Sequence, residues 1–205
     1  MKKYLPLFIF FISFCFSQNR VNVNDLVKYG EKYFKENDDR PFNGIVFDLS
    51  KNTGNKILEY KMVNGLKNGI FQKWSSDGNL IRKGKFFNND TTGNWTYWYG
   101  NEQKHKEGTY KDNNKDGLWT SWYENGFKKS ETGYDNGKLK VETLHHDNGK
   151  KKSKRIIGSE SYTYWDKFDG KEYNGKNGRG KDEKDGEFLI VSYSQRPPID
   201  PYVLH

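Results

Sequence analysis

Gly93-Asn94-Trp95-Thr96-Tyr97-Trp98-Tyr99 returns 24 residues later as the near copy Gly117-Leu118-Trp119-Thr120-Ser121-Trp122-Tyr123. The same step links Trp74 to Trp98 and Trp122, Phe86 to Tyr110 and Tyr134, and Gly69 to Gly93 and Gly117. A fixed period of this size is the mark of stacked supersecondary units, none of which buries its apolar face alone. Such stacks present long surfaces, so the chain points first to binding and only second to catalysis.

Each unit reads as a β-hairpin. An aromatic strand follows the Gly (Ile70 to Trp74, 94–99, 118–123), and a turn signal follows the Trp at Asp77-Gly78, Gly100-Asn101 and Asn125-Gly126. A polar strand returns through Lys83-Gly84-Lys85-Phe86 or Glu107-Gly108-Thr109-Tyr110 to a second turn at Asn88-Asn89-Asp90, Asp112-Asn113-Asn114 or Asn136-Gly137. Both turns are built from residues that tolerate positive φ, which hairpins need and helices avoid. Upstream, Pro41 to Leu49 fits the strand template with Leu49 in the Trp place. Nine residues separate Tyr60 from Gly69, against seven from Phe86 to Gly93, which reads as two extra residues. Downstream, Thr132 reads as an insertion, while Val141 and His146 fall where the next Gly and Trp are due.

The expected fold is all-β, an elongated antiparallel array of 24-residue hairpin repeats with N- and C-terminal caps. Its expected parts are a signal peptide over 1–17, an N-terminal cap over 18–40, the array over 41–155, and a C-terminal cap and tail over 156–205. The N-terminal cap reads as a hairpin or short helix. The C-terminal part reads as Tyr162-Thr163-Tyr164-Trp165, a Gly/Lys/Asn-rich loop, the strand Phe188 to Tyr193 and an extended tail around Pro197-Pro198.

Composition agrees with a thin sheet. The apolar fraction is 33% and charged residues reach 30%, values that suit disorder, yet aromatic residues make up 17%. Disordered chains are poor in Trp and Tyr, so aromatic-rich strands with two solvated surfaces reconcile the numbers. Lys2 and Lys3, the apolar run Leu5 to Phe16, and a small-residue cut site before Gln18 read as an export signal. Phe14 ahead of Cys15, the sole cysteine, argues against lipidation. Removing the leader takes away Cys15 and leaves packing rather than disulfides to hold the chain. It also lowers the formal charge from +8 to +6, too mild and dispersed for a nucleic-acid groove.

The stretch DGLWTSWYENGFKKSETGYDNGK at 116–138 resembles the bacterial variant of the MORN repeat, roughly Gly-x-Trp-x-x-Trp-Tyr-x-Asn-Gly-x-x-Lys-x-Glu-Gly-x-Tyr. The likeness is close in the third and fourth units, looser in the others, and spans 41–155 or so. It implies a hairpin array without a known catalytic centre. Bacterial members are often described as antitoxin components, and other MORN proteins as membrane-associated or scaffolding. An export signal departs from the antitoxin pattern.

Strand alternation places Trp95, Tyr97 and Tyr99 on one face with Trp119, Ser121 and Tyr123, and Trp74, Trp98 and Trp122 on the other. One set serves packing. Trp95, Tyr97, Tyr99, Trp119 and Tyr123 form the candidate aromatic platform for a partner, and a bulge at the Gly would alter this parity. The second candidate is the basic patch Lys150, Lys151, Lys152, Lys154 and Arg155, within a stretch 127–155 of net charge +5. His145-His146-Asp147 lacks metal geometry on a strand, so no metal, cofactor or catalytic residue is expected. Gly175 to Gly180 lacks the strand and helix of a phosphate loop.

The functional expectation is therefore an exported, non-enzymatic binding or scaffold module, acting in the periplasm, at the cell surface or outside the cell. Its first expected partner is an unknown protein, followed by an anionic membrane surface or polysaccharide, with no nucleic acid. The alternatives are an antitoxin-like protein that neutralises a toxin, and an enzyme assembled from scattered residues such as His146, Asp166 and Asp169.

Overall fold

The computed structural model describes residues 19–159, 161–165 and 170–176. The leader, Asp166, Asp169 and everything after Lys176, including the strand expected at Phe188 to Tyr193, lie outside them.

Among the described residues the chain is almost wholly β. Strand β1 (Arg20–Asn22) leads through a single 3-10 turn (Val23–Asp25) into the hairpin β2 (Leu26–Tyr29) and β3 (Lys32–Lys35). A meander follows: β4 (Gly44–Leu49), β5 (Lys56–Val63), β6 (Leu66–Trp74), β7 (Leu80–Phe87), β8 (Asp90–Trp98), β9 (Lys104–Lys111), β10 (Asn114–Trp122), β11 (Lys128–Asp135), β12 (Lys138–His145) and β13 (Lys151–Ile156). Strands β14 (Ser161–Trp165) and β15 (Glu172–Lys176) continue it. Each strand from β4 pairs antiparallel with the next, and β1 adds in parallel beside β4, giving one open thirteen-stranded sheet among the described residues. The expected hairpin array is the observed fold. The aromatic segment after Ser161 joins the same sheet as one more hairpin.

The 24-residue register has a structural cause. Gly69, Gly93 and Gly117 lie inside strands, not at their starts, and pair with Phe86, Tyr110 and Tyr134 of the next strand. Their φ angles of 106°, 64° and 67° are positive, and each marks a bulge against the preceding strand, as where Asp116 pairs with Thr109 but Thr120 with Glu107. Only glycine adopts such angles without steric cost. Each strand therefore begins three residues before its Gly, directly after a tight turn such as Asn88-Asn89 or Asp112-Asn113, where both residues have positive φ.

Register corrects three details of the repeat alignment. Met62 pairs with Gly44 as Phe86 does with Gly69, so Met62 holds the aromatic place and no residues are inserted before Gly69. Thr132 pairs with Trp119 as Gly108 pairs with Trp95, so it is a substitution for glycine. In β12, Val141 replaces the bulge glycine, and a β-branched residue resists positive φ. The strand is one residue shorter there, and His145, not His146, pairs with Lys151 in the place of Trp122 opposite Lys128.

Turns stack as regularly as strands. The amides of Lys67 and Thr91 donate to the side-chain oxygens of Asn89 (2.8 Å) and Asn113 (2.7 Å). In return, the amides of Asn89, Asn113 and Gly137 donate to the carbonyls of Lys67, Thr91 and Lys115. Each turn thus satisfies backbone groups of its neighbour, as buried or part-buried backbone demands.

Candidate binding faces

Cross-strand register sorts the side chains into two faces. On the first, the core face, a central column runs Val46, Tyr60, Phe71, Gly84, Trp95, Gly108, Trp119. All of its apolar members are buried, Trp95 to 0% exposure and Trp119 to 3%. A single sheet buries so large a ring by laying it on a glycine: a Cβ on Gly84 would overlap the indole of Trp95, and one on Gly108 that of Trp119. Neighbouring rings close the sides. Trp95 has Phe86 at 5.2 Å, Phe71 at 5.6 Å and Tyr110 at 6.1 Å, while Trp119 meets Tyr110 edge-on at 4.9 Å. Their indole N–H groups donate to the carbonyls of Thr92 and Thr109.

Cations form the roof. The Arg82 guanidinium lies 4.5 Å above Trp95 and 5.2 Å from Tyr97; Lys106 sits 4.4 Å over Tyr97; Lys115 covers Trp119 and Tyr134; Lys67 covers Tyr60 and Phe86. Burial, and then the positive charges of Arg82 and Lys28, hold the Lys67 ammonium below its usual pKa. Burial followed by Lys115 and Arg82 does the same to Lys106. Burial also pushes the phenols of Tyr60 and Tyr97 up to about 12.

The opposite, ladder face is chemically different. Trp74, Trp98, Trp122, His145 and Trp165 follow one another on alternate strands, paired with Leu80, Lys104, Lys128, Lys151 and Glu172. Lys56 stacks on Trp74, Lys104 on Trp122 and Lys151 on Trp165. Lys56, Lys104 and Lys128 each also bind the Glu three residues on, at 3.2, 2.8 and 2.6 Å. The charges of these three lysines are neutralised locally. Lys128 holds the Glu131 carboxylate below the usual range, and Glu131 lies 3.9 Å from His145, whose imidazole burial keeps below its usual pKa.

The candidate platform does not survive as an open surface. Trp95 and Trp119 are core, because the glycine bed and the cation roof enclose them. Tyr97 packs half-buried beside them. Tyr99 and Tyr123 stitch each repeat to the next, their hydroxyls donating to the carbonyls of Trp122 (2.8 Å) and His145 (2.9 Å).

The basic patch is exposed but is not one surface. Lys151 and Lys154 belong to the ladder face, where they align with His145 and Thr143. Arg155 lies on the core face and pairs with Glu142 at 2.9 Å. Lys150 sits in the turn and Lys152 at a register shift, so alternation divides the run. The sequence reading missed the cation roof, although a signal was present: Arg82 and Lys106 are 24 residues apart, and Lys67 and Lys115 are 48 apart.

No protein-family model matches the chain, and no curated protein matches it.

Proposed function

We propose that this protein is an exported, non-enzymatic repeat module that binds a protein or envelope component through the core face of its sheet. The observation that carries the reading is the row of half-buried aromatic rings and half-buried cations that runs from β6 to β11. An open sheet offers such a row at about 4.8 Å per strand, a surface suited to long ligands rather than to enclosing a small one. The leader-like N-terminus, the resemblance to MORN repeats and the side-chain stitching between repeats support the same reading: a stiff extended scaffold outside the cytoplasm.

Two experiments test it. A pull-down from envelope extract with the purified protein should capture a component that a core-face variant loses. Cell fractionation should find a product without its leader outside the cytoplasm, whereas a cytosolic product retaining Met1 overturns export.

A further inference from the structure

We infer that Lys67, Arg82, Lys106 and Lys115 form a binding site for an acidic polysaccharide, a polyuronate-like chain lying across β6 to β10 on the core face. The inference rests on the binding-module reading above and names its ligand.

Across β5 to β11, three ladder-face cations and four core-face cations differ in their partners. On the ladder face Lys56, Lys104 and Lys128 each have a Glu partner. On the core face, among the described residues, none of Lys67, Arg82, Lys106 and Lys115 forms an ion pair. The charges that act on Lys67 and Lys106 are other cations. Four mutually repelling cations over aromatic rings are a field with no internal counter-charge, which an anion would relieve. They occupy four strands spanning four inter-strand steps, roughly 19 Å at the usual spacing. That is room for several sugars.

Three features select the ligand class. The cations lie along ring faces, 4.4 to 5.4 Å from the ring centroids, instead of projecting outward. A thin chain reaches such recessed charges; a flat bilayer surface does not. The site lies on a sheet face, whose backbone groups are consumed by the ladder, so an acidic peptide would find no main-chain partners there. A polyuronate needs none, because it brings one carboxylate per sugar for the cations and C–H faces for the half-buried rings of Tyr97, Tyr110 and Tyr134.

The test is titration of the full chain with polygalacturonate, beside neutral dextran, poly-L-glutamate and phosphatidylglycerol vesicles. Polygalacturonate should bind, and raised salt should weaken it. The variant Lys67→Gln/Arg82→Gln/Lys106→Gln/Lys115→Gln should lose on the order of a hundredfold in affinity. The charge-matched control Lys56→Gln/Lys83→Gln/Lys104→Gln/Lys128→Gln, on the other face of the same region, should stay within about threefold. Should the core-face variant fail to fold, acetylation footprinting of the native protein decides: Lys67, Lys106 and Lys115 should be shielded by polygalacturonate while Lys83 is not. Equal losses in both variants, or vesicles or poly-L-glutamate binding as tightly as the uronate, overturn the inference. Capture of an envelope component without polyuronate binding removes this ligand but keeps the module. Capture of nothing, with no polyuronate binding, removes both.

Discussion

The two ends of the buried column solve the same problem differently. Near β4, Val46 and Met62 reach 0% exposure because a second layer lies over them. Val23, Leu26, Tyr33 and Phe42 pack there, held by Tyr33 N–H to Gly65 carbonyl and Gly65 N–H to Phe42 carbonyl, both 2.9 Å. At β8 and β10 no second layer is present among the described residues. Trp95 and Trp119 are buried by a glycine below, rings beside and cations above. From β11 on the column changes again: Thr132 stands in the glycine place, Glu142 follows it, and Arg155 pairs with Glu142. The lesson is that a lone sheet holds a large ring only where a neighbouring strand gives up its side chain. Once the glycine goes, the Trp goes with it.

The sharpest way to break this comparison is Trp95→Ala. Removing a fully buried indole should cost about 3–5 kcal/mol and lower the melting temperature steeply. Gly84→Ala attacks the bed instead of the ring, and displacing a packed indole should cost about 1–3 kcal/mol. Equal tolerance of alanine at Gly84 and at exposed Gly100 would show that the bed is not needed. Trp98→Ala, one ring on the half-buried ladder face, should cost about 1–2 kcal/mol. If it matches Trp95→Ala in thermal melts, the two faces are energetically alike and the contrast fails. Native-state hydrogen exchange should follow the column, slowest in β5 to β10 and fastest in β13 to β15.

The smallest effect expected is a pH dependence. Burial holds the folded-state pKa of His145 below its unfolded value, so the unfolded chain binds the proton more readily. The stabilisation is complete above the unfolded pKa, about 6.5, and is lost as pH falls through the folded one. His145→Trp restores the repeat residue and should flatten the decline in melting temperature between neutral and mildly acidic pH relative to the native chain. An unchanged slope would place the titration elsewhere.

The repeat period was enough to read the hairpins and the opposite facing of Trp95 and Trp98. It was not enough to read exposure. A period says which residues share a face but not which face is closed, because closure depends on Gly84 and Gly108, residues with no side chain to attract notice. Counting also failed where the bulge failed: Val141 shortens β12 by one residue, so a step of 24 lands on His146 when the backbone puts His145 in line. The basic run 150–155 looked like a patch because charge is counted along the chain, whereas a strand deals its side chains to alternate sides. The cations that do share a surface are far apart in sequence and joined only by register.

The order of the strands also sets how the molecule responds to force. From β5 to β15, among the described residues, each strand is paired in the sheet only with its neighbours in sequence. Tension applied through β15 therefore loads one hairpin at a time, as a zip is opened, rather than shearing many hydrogen bonds together. The array should yield in small, low steps that start at its C-terminal end, where no apolar residue among those described is fully enclosed, and stiffen as the opening reaches the glycine-bedded tryptophans. Released, it should close again in the reverse order, since every strand waits only for the one before it.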